Sequence, residues 1–272
     1  MSSQGATKNR KSSAFTELLS IFLHLDHRLP VLEASAFLLF SSVLLFSSVS
    51  SGQASSAFSY MAGPGGLSLT SLILVVLILK NAASGWGGEY ERGTMQTFLT
   101  YPLSRGKVLL ARLTSSLLLP LGLVALAQFS VVFLIAPGFA AAQFGSLMLG
   151  FLTSLTTPLL IAAVVVLAVQ WAKSGGVPFA LGLVAYFMIL IFSAFLLSIG
   201  YSAGYTNLVW AVFFFNPVYA FSSYYSNQGV LFGGNTPVPT YAQTVELLAA
   251  NLILSLALLA VSVWLFVKRT EA

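Results

Sequence analysis

Residues 144–171 read FGSLMLGFLTSLTTPLLIAAVVVLAVQW, twenty-eight positions without one charged side chain. A helix needs roughly 20 mostly apolar residues to cross the hydrocarbon of a bilayer, so this run is read as a membrane span, with Pro158 inside it. Just before it lies a short turn, 136–143, and then a second apolar run, 108–135, with Pro120 inside. Just after it comes a short basic turn, 172–177, and a third run, 178–199. Further out lie 67–83, 31–51 (which follows Pro30, a residue suited to a first helical turn) and 245–267. Six spans at that length use about 120 residues. The chain supplies them: of 272 residues 57% are hydrophobic and 7% charged, and mean hydropathy is +0.91. Soluble domains carry about a quarter of their residues as charges, so an ordinary cytosolic globule is excluded. The expected fold is an all-α polytopic membrane protein with six transmembrane helices.

The placement of charge orients those spans. The basic residues are Lys8, Arg10, Lys11, Arg28, Lys80, Arg92, Arg105, Lys107, Arg112, Lys173, Lys268 and Arg269. All lie at alternate ends of the apolar runs, and loops 52–66, 136–143 and 200–244 contain none. Lys and Arg favour the cytoplasmic side, which puts both termini in the cytoplasm of a cell-membrane protein. A nucleic-acid surface gathers its basic residues on one polar face, so no nucleic-acid partner is expected. With no cysteine in the chain, disulfides, thiolate metal sites and cysteine nucleophiles are excluded. The run after residue 30 has full spanning length and no evident cleavage site, unlike a signal peptide.

Three segments depart from a plain bundle. In 14–29, Phe15, Leu18, Leu19, Phe22, Leu25 and Leu29 recur at helical spacing, opposite Thr16, Glu17, Ser20, His24, His27 and Arg28. That pattern predicts an amphipathic helix lying along the inner membrane face. The chain thus divides into 1–30, a cytoplasmic N-terminus with this interfacial helix, and 31–272, the transmembrane domain. His24, Asp26 and His27 on its polar side are read as solvated side chains rather than metal ligands, and no metal is expected. The outer segment, 200–244, is rich in Tyr, Trp and Phe around Asn216-Pro217. Its pieces are too short to span, so a helix pair dipping into the outer leaflet is expected, with its irregular backbone satisfied by protein or water. Its rings serve either as an aromatic interface belt or as an outer gate, for which Phe214, Phe215, Asn216, Pro217 and Tyr219 are the candidates.

The third segment is the loop 85–107, GWGGEYERGTMQTFLTYPLSRGK. Its glycines are expected to release the chain from the span before it. Glu89 and Glu91 then open a helix whose N-terminal dipole favours negative charge, Met95, Phe98 and Leu99 share an apolar face, and Pro102 ends it by disfavouring helical geometry at Tyr101. Ser104 can cap the next helix, anchored by Arg105, Lys107 and Arg112. Read alone, the acids and Arg92 fit local pairs on a solvated helix equally well.

The order of residues in this loop is more particular. Glu89, then Gly93-Thr94, an apolar-rich stretch to Leu99, and Pro102-Leu103-Ser104-Arg105 resembles the permease subunit of ABC-2 type exporters, with Met95 where that family often has Leu. The amphipathic N-terminal helix, six spans and long outer segment extend the resemblance. It implies a substrate pathway formed as a dimer with a second, identical or related permease, and a separate ATPase subunit in two copies carrying ATP and Mg. The helix around 89–100 becomes the coupling helix, with Glu89, Glu91, Arg92, Gly93, Thr94, Phe98 and Arg105 at the ATPase interface, and 14–29 bracing it. Gly93 would allow close backbone approach there.

The chain itself carries no catalytic constellation. No Gly-x-x-x-x-Gly-Lys-Ser/Thr loop is present; Arg105-Gly106-Lys107-Val108 lacks the upstream Gly and the hydroxyl for magnesium. The chain is therefore expected to bind no cofactor and to be a transport subunit, not an enzyme. Its spans hold almost no ionisable group beyond Glu33 and Glu246 near span ends and Lys80, close enough to the inner face to snorkel. Ion-coupled carriers usually need buried acids or broken-helix sites near the midplane, yet an ATP-independent six-span carrier or channel, or a non-transporting scaffold, remains the competing reading.

Overall fold

The computed structural model describes residues 3–27, 33, 35, 36, 38, 39, 69–226 and 237–269. The expected first span, 31–51, lies almost wholly outside the described residues, as do the loop 52–66, residues 227–236 and Leu29 of the predicted amphipathic face. Every described element is a helix. In chain order they are α1 (Ser3–Asp26), α2 (Leu69–Ile78), a π-helical stretch (Leu79–Gly87), α3 (Gly88–Glu91), α4 (Thr94–Leu99) and α5 (Arg105–Leu113). A second π-helical stretch (Thr114–Leu118) leads into α6 (Leu119–Ile135), α7 (Pro137–Ala142), α8 (Phe144–Ala172), α9 (Gly176–Ala203), α10 (Thr206–Phe215), α11 (Pro217–Ser226) and α12 (Tyr241–Arg269).

Five helices among the described residues are long and apolar enough to cross a membrane: Ser71–Glu91, Arg105–Leu134, Phe144–Ala172, Gly176–Ala203 and Tyr241–Lys268. The chain is an all-α polytopic membrane protein. α8 is its axis, with 67% of its most apolar window inside the protein, against 28% for α9 and 22% for α12. The core accordingly gathers on α8. Leu147, Phe151 and Ala162 pack with Leu74, Val124, Val131 and Phe221, while Ile161, Val165 and Val169 pack with Leu79, Trp86, Tyr186 and Phe266. At α9 the side chains of Leu181, Val184, Met188, Ile191 and Phe195 form an exposed stripe.

Two expectations about element boundaries need correction. The predicted span 67–83 does not stop at the glycines: the helix runs on through Gly85, Gly87 and Gly88 to Glu91 by widening into π geometry. The missing side chain is used for approach instead of for flexibility. A Cβ on Gly87 would sit 2.3 Å from the Ser174 carbonyl oxygen and 2.6 Å from Gly175 Cα, so the turn 173–175 lies directly against this helix. The predicted amphipathic helix, 14–29, starts earlier and ends at Asp26, and Leu25 on its apolar side is 42% exposed.

Pro120 lies just after the second π stretch, where it has no N–H to donate to the Ser116 carbonyl one turn back. α12 begins with a reciprocal cap: Thr240 N–H donates to Gln243 Oε1 at 2.8 Å, and Gln243 N–H to Thr240 Oγ1 at 3.2 Å. The predicted outer helix pair is present as α10 and α11, ten residues each and broken at Asn216-Pro217.

Candidate functional site

α1 is held to the bundle by a small apolar seam. Leu18 and Phe22 are fully buried against Val108 and Ala111 of α5, with Phe98, Leu99 and Leu103 of the loop around them. The Phe22 and Phe98 rings meet edge to face, centroids 4.8 Å apart. Burying a Leu and a Phe stabilises by roughly 3–6 kcal/mol before the entropy of ordering is counted. This seam delivers the end of α1 to the first turns of the span that follows the loop.

At that point three charges are buried together. Arg112 is 1% exposed, Asp26 3% and Glu89 4%. Arg112 Nη1 donates to Asp26 Oδ1 at 2.8 Å and Oδ2 at 2.9 Å, and Ser115 Oγ donates to Oδ2 at 2.6 Å. The Arg112 Nη2 atom lies 3.1 Å from Glu89 Oε1. The guanidinium carbon also sits 4.9 Å from the centre of the Phe22 ring, a cation–π distance. One cation thus faces two carboxylates, one from α1 and one from the loop. A carboxylate at the C-terminal end of a helix opposes the helix dipole, so Asp26 depends on Arg112 for its place.

A second set of polar contacts adjoins the first. His27 is buried, its Nε2 2.9 Å from the Ser115 carbonyl and its Nδ1 against Glu33 Oε2. Lys80 Nζ donates to the Asp26 carbonyl at 2.8 Å and to Glu33 Oε1 at 3.2 Å. The expectation that Asp26 and His27 are solvated is therefore wrong; only His24 of the three is exposed. The seam draws this end of α1 into the bundle, and the opposite charges of Asp26 and Arg112 make its burial tolerable. Among the described residues no three His, Asp or Glu side chains converge as metal ligands.

The loop residues divide between this interior and the surface. Glu89 and Phe98 point inward, and Arg105 Nη1 donates to the Val267 carbonyl of α12 at 3.4 Å. Glu91 is exposed, and its Oε1 accepts the Gly175 N–H at 2.9 Å, so the loop is also tied to the 173–175 turn. Tyr90 adds a bond from its hydroxyl to Gln170 Oε1 at 2.8 Å. Arg92 is exposed, its Nε on the Gly88 carbonyl at 3.0 Å. At Gly93 φ is +73°, the left-handed region that favours glycine, and this turn splits the expected helix 89–100 into α3 and α4. α4 buries Met95 and exposes Thr94, Gln96 and Thr97. Glu91, Arg92, Gly93, Thr94, Gln96 and Thr97 thus share the open surface of the loop, above the buried Glu89.

Sequence reasoning misses Asp26, His27 and Ser115 as parts of a site, and takes Arg112 only as an anchor. A usable signal is present: Arg112 is a lone charge inside an apolar run, and its first helical turns face an amphipathic helix that ends in a lone acid.

At the opposite end of the bundle the candidate outer residues converge at the tip of the α10–α11 hairpin. Asn216 and Pro217 are buried, Phe214 and Tyr219 half-buried, and Phe215 is 53% exposed. Asn251 Nδ2 donates to the Phe214 carbonyl at 3.1 Å and the Phe215 carbonyl at 3.3 Å. Thr157 Oγ1 donates to Asn216 Oδ1 at 3.4 Å. These bonds satisfy the last carbonyls of α10, which the helix cannot pair itself. Thr157 stands near the middle of α8, so the hairpin tip reaches deep into the bundle.

No individual curated relative matches the chain. A family model described as ABC-2 family transporter protein matches residues 7–270.

Proposed function

From the premise that this chain belongs to the ABC-2 family of transporter proteins, we propose that it is the membrane-spanning permease subunit of an ATP-driven exporter. It works with a separate ATPase subunit in two copies, which carries ATP and Mg, and with a second permease, identical or related. The 85–107 loop and both termini face the cytoplasm of the plasma membrane, 1–30 forms the cytoplasmic brace, and 31–272 is the pathway domain. The exposed stripe on α9 is a face open to lipid or to the second permease.

One observation carries this reading. A short surface, Glu91 to Thr97, stands directly above a buried Glu89–Arg112–Asp26 cluster that joins it to α1 and to the next span. Force applied to the loop by a closing ATPase pair passes through a stiff, charge-paired junction into two helices at once. Glu89 accordingly acts from inside, positioning the loop, while Arg92 and its exposed neighbours meet the ATPase. Gly93 and Thr94 belong to that contact surface, and Phe98 and Arg105 hold its rear edge to α1 and α12.

The test is composition. Purified from native membranes in mild detergent, the chain is expected to bring with it a nucleotide-binding subunit identifiable by mass. A cysteine at Arg92 (Arg92→Cys, in a chain with no other cysteine) is expected to cross-link to that subunit. An intact, folded chain that purifies without any ATPase overturns the proposal.

A further inference from the structure

Between Lys173 and Lys268 the sequence contains one charged residue, Glu246. Loops 52–66 and 136–143 contain none. On the topology proposed above, the whole outer half of the molecule therefore carries a single charge, and it is negative. Among the described residues Glu246 has no cation partner; the four ion pairs all lie at the other end.

This carboxylate opens onto a groove between α10 and α12 of about 390 Å³, walled by Trp210, Gln243, Glu246, Leu247 and Ala250. Trp210 is half-buried and set by an edge contact with Phe213, centroids 5.7 Å apart. The first turn of α12 is fixed by the Thr240–Gln243 cap. Glu246 stands beyond the first turn of α12, where the helix dipole has faded, so the helix start accounts neither for this carboxylate nor for the Trp210 and apolar residues that line the same space. A carboxylate and a Trp ring are the two groups that recognise an organic ammonium, by charge and by the ring quadrupole.

We propose that this groove binds the ammonium head of an organic cation, against Glu246 and Trp210, on the outer side of the protein. An anion is disfavoured there, since no cation is available to meet it. The site also touches the hairpin mechanically: one residue past Ala250 on α12, Asn251 holds the Phe214 and Phe215 carbonyls at the end of α10. A ligand bridging Trp210 and Glu246 joins the same two helices that Asn251 joins. The proposal takes its sidedness from the permease reading, but binding itself requires no ATPase.

The experiment measures benzyltrimethylammonium binding to the purified chain in nanodiscs of phosphatidylglycerol, a lipid without an ammonium group. Glu246→Gln and Trp210→Leu are each expected to weaken binding by about fivefold, the range of an exposed ion pair or cation–π contact, with thermal midpoints unchanged. The neutral carbon isostere of the ligand is expected not to bind. Equal affinity in Glu246→Gln, or equal binding of the neutral isostere, overturns the proposal. So does loss of binding when phosphatidylethanolamine replaces half the lipid, which would make the groove a lipid-headgroup site. Because no nucleotide or partner enters the assay, these results stand apart from whether an ATPase co-purifies.

Discussion

Arg112 is a guanidinium 1% exposed, bonded to Asp26 and 3.1 Å from Glu89. Removing one member of a buried ion pair leaves the rest uncompensated, at a cost of about 3–5 kcal/mol. Arg112→Met is therefore expected to lower the thermal midpoint sharply in nanodiscs. Replacing all three charges together, as Arg112→Met, Asp26→Leu and Glu89→Leu, is expected to recover most of that stability, because apolar substitutes of similar volume avoid the desolvation cost. A triple variant no more stable than the single one would show that the cluster is not an isolated electrostatic unit. Gly87 gives a second residue-scale prediction. A Cβ there meets backbone at 2.3 Å, so Gly87→Ala is expected to destabilise by about 1–3 kcal/mol. Gly106→Ala, with nothing within 4 Å, is expected to be neutral or slightly stabilising. Chemical unfolding of both variants checks the contrast. The sequence shows which residues are charged and which are small; it does not show that Glu89 turns inward, because that depends on where the end of α1 lands.

At the scale of elements, the loop shows where sequence rules succeed and where they compete. α4 ends at Leu99, before Pro102, and α5 starts at Arg105 after an extended Ser104, whose side chain makes no capping hydrogen bond. Gly85, Gly87 and Gly88 read as breakers, yet the helix runs through them: a Cβ on Gly87 would meet the Ser174 and Gly175 backbone, and one on Gly85 would meet Arg112 and Asp26. Gly93, by contrast, does break the helix, at positive φ. The outer hairpin is legible from its aromatic content and short pieces, while its anchor, Asn251, looks like any polar residue in a span. Asn251→Leu removes the donor to two part-buried carbonyls at the end of α10, a loss of about 1–3 kcal/mol. Ser223, 6% exposed on α11, offers a reporter: Ser223→Cys is expected to react about tenfold faster with an impermeant maleimide when Asn251→Leu is also present, as local opening becomes cheaper. An unchanged rate would mean that packing alone holds the hairpin.

For the whole molecule, uninterrupted apolar length and the one-sided distribution of Lys and Arg make the polytopic all-α fold readable from the amino-acid sequence. Which helix sits at the centre is not readable there, since α8, α9 and α12 have similar mean hydropathy, 2.3, 2.5 and 2.3, and differ in how much of their surface is inside. Sidedness can be checked directly in a cysteine-free chain. Lys173→Cys is expected to label only from the cytoplasm and Gln143→Cys only from outside; the reverse pattern would invert the proposed topology.

The central claim is that the exposed loop above the buried cluster receives the work of a separate ATPase. Its most direct test is ATP hydrolysis by the co-purified complex in nanodiscs, comparing wild type with Arg92→Glu. Arg92 is exposed and bonds only to its own helix turn among the described residues, so the variant is expected to keep its fold and thermal midpoint. The account predicts that hydrolysis falls to the rate of the isolated ATPase subunit, or that the subunit dissociates. Wild-type hydrolysis and an intact complex in Arg92→Glu would contradict it.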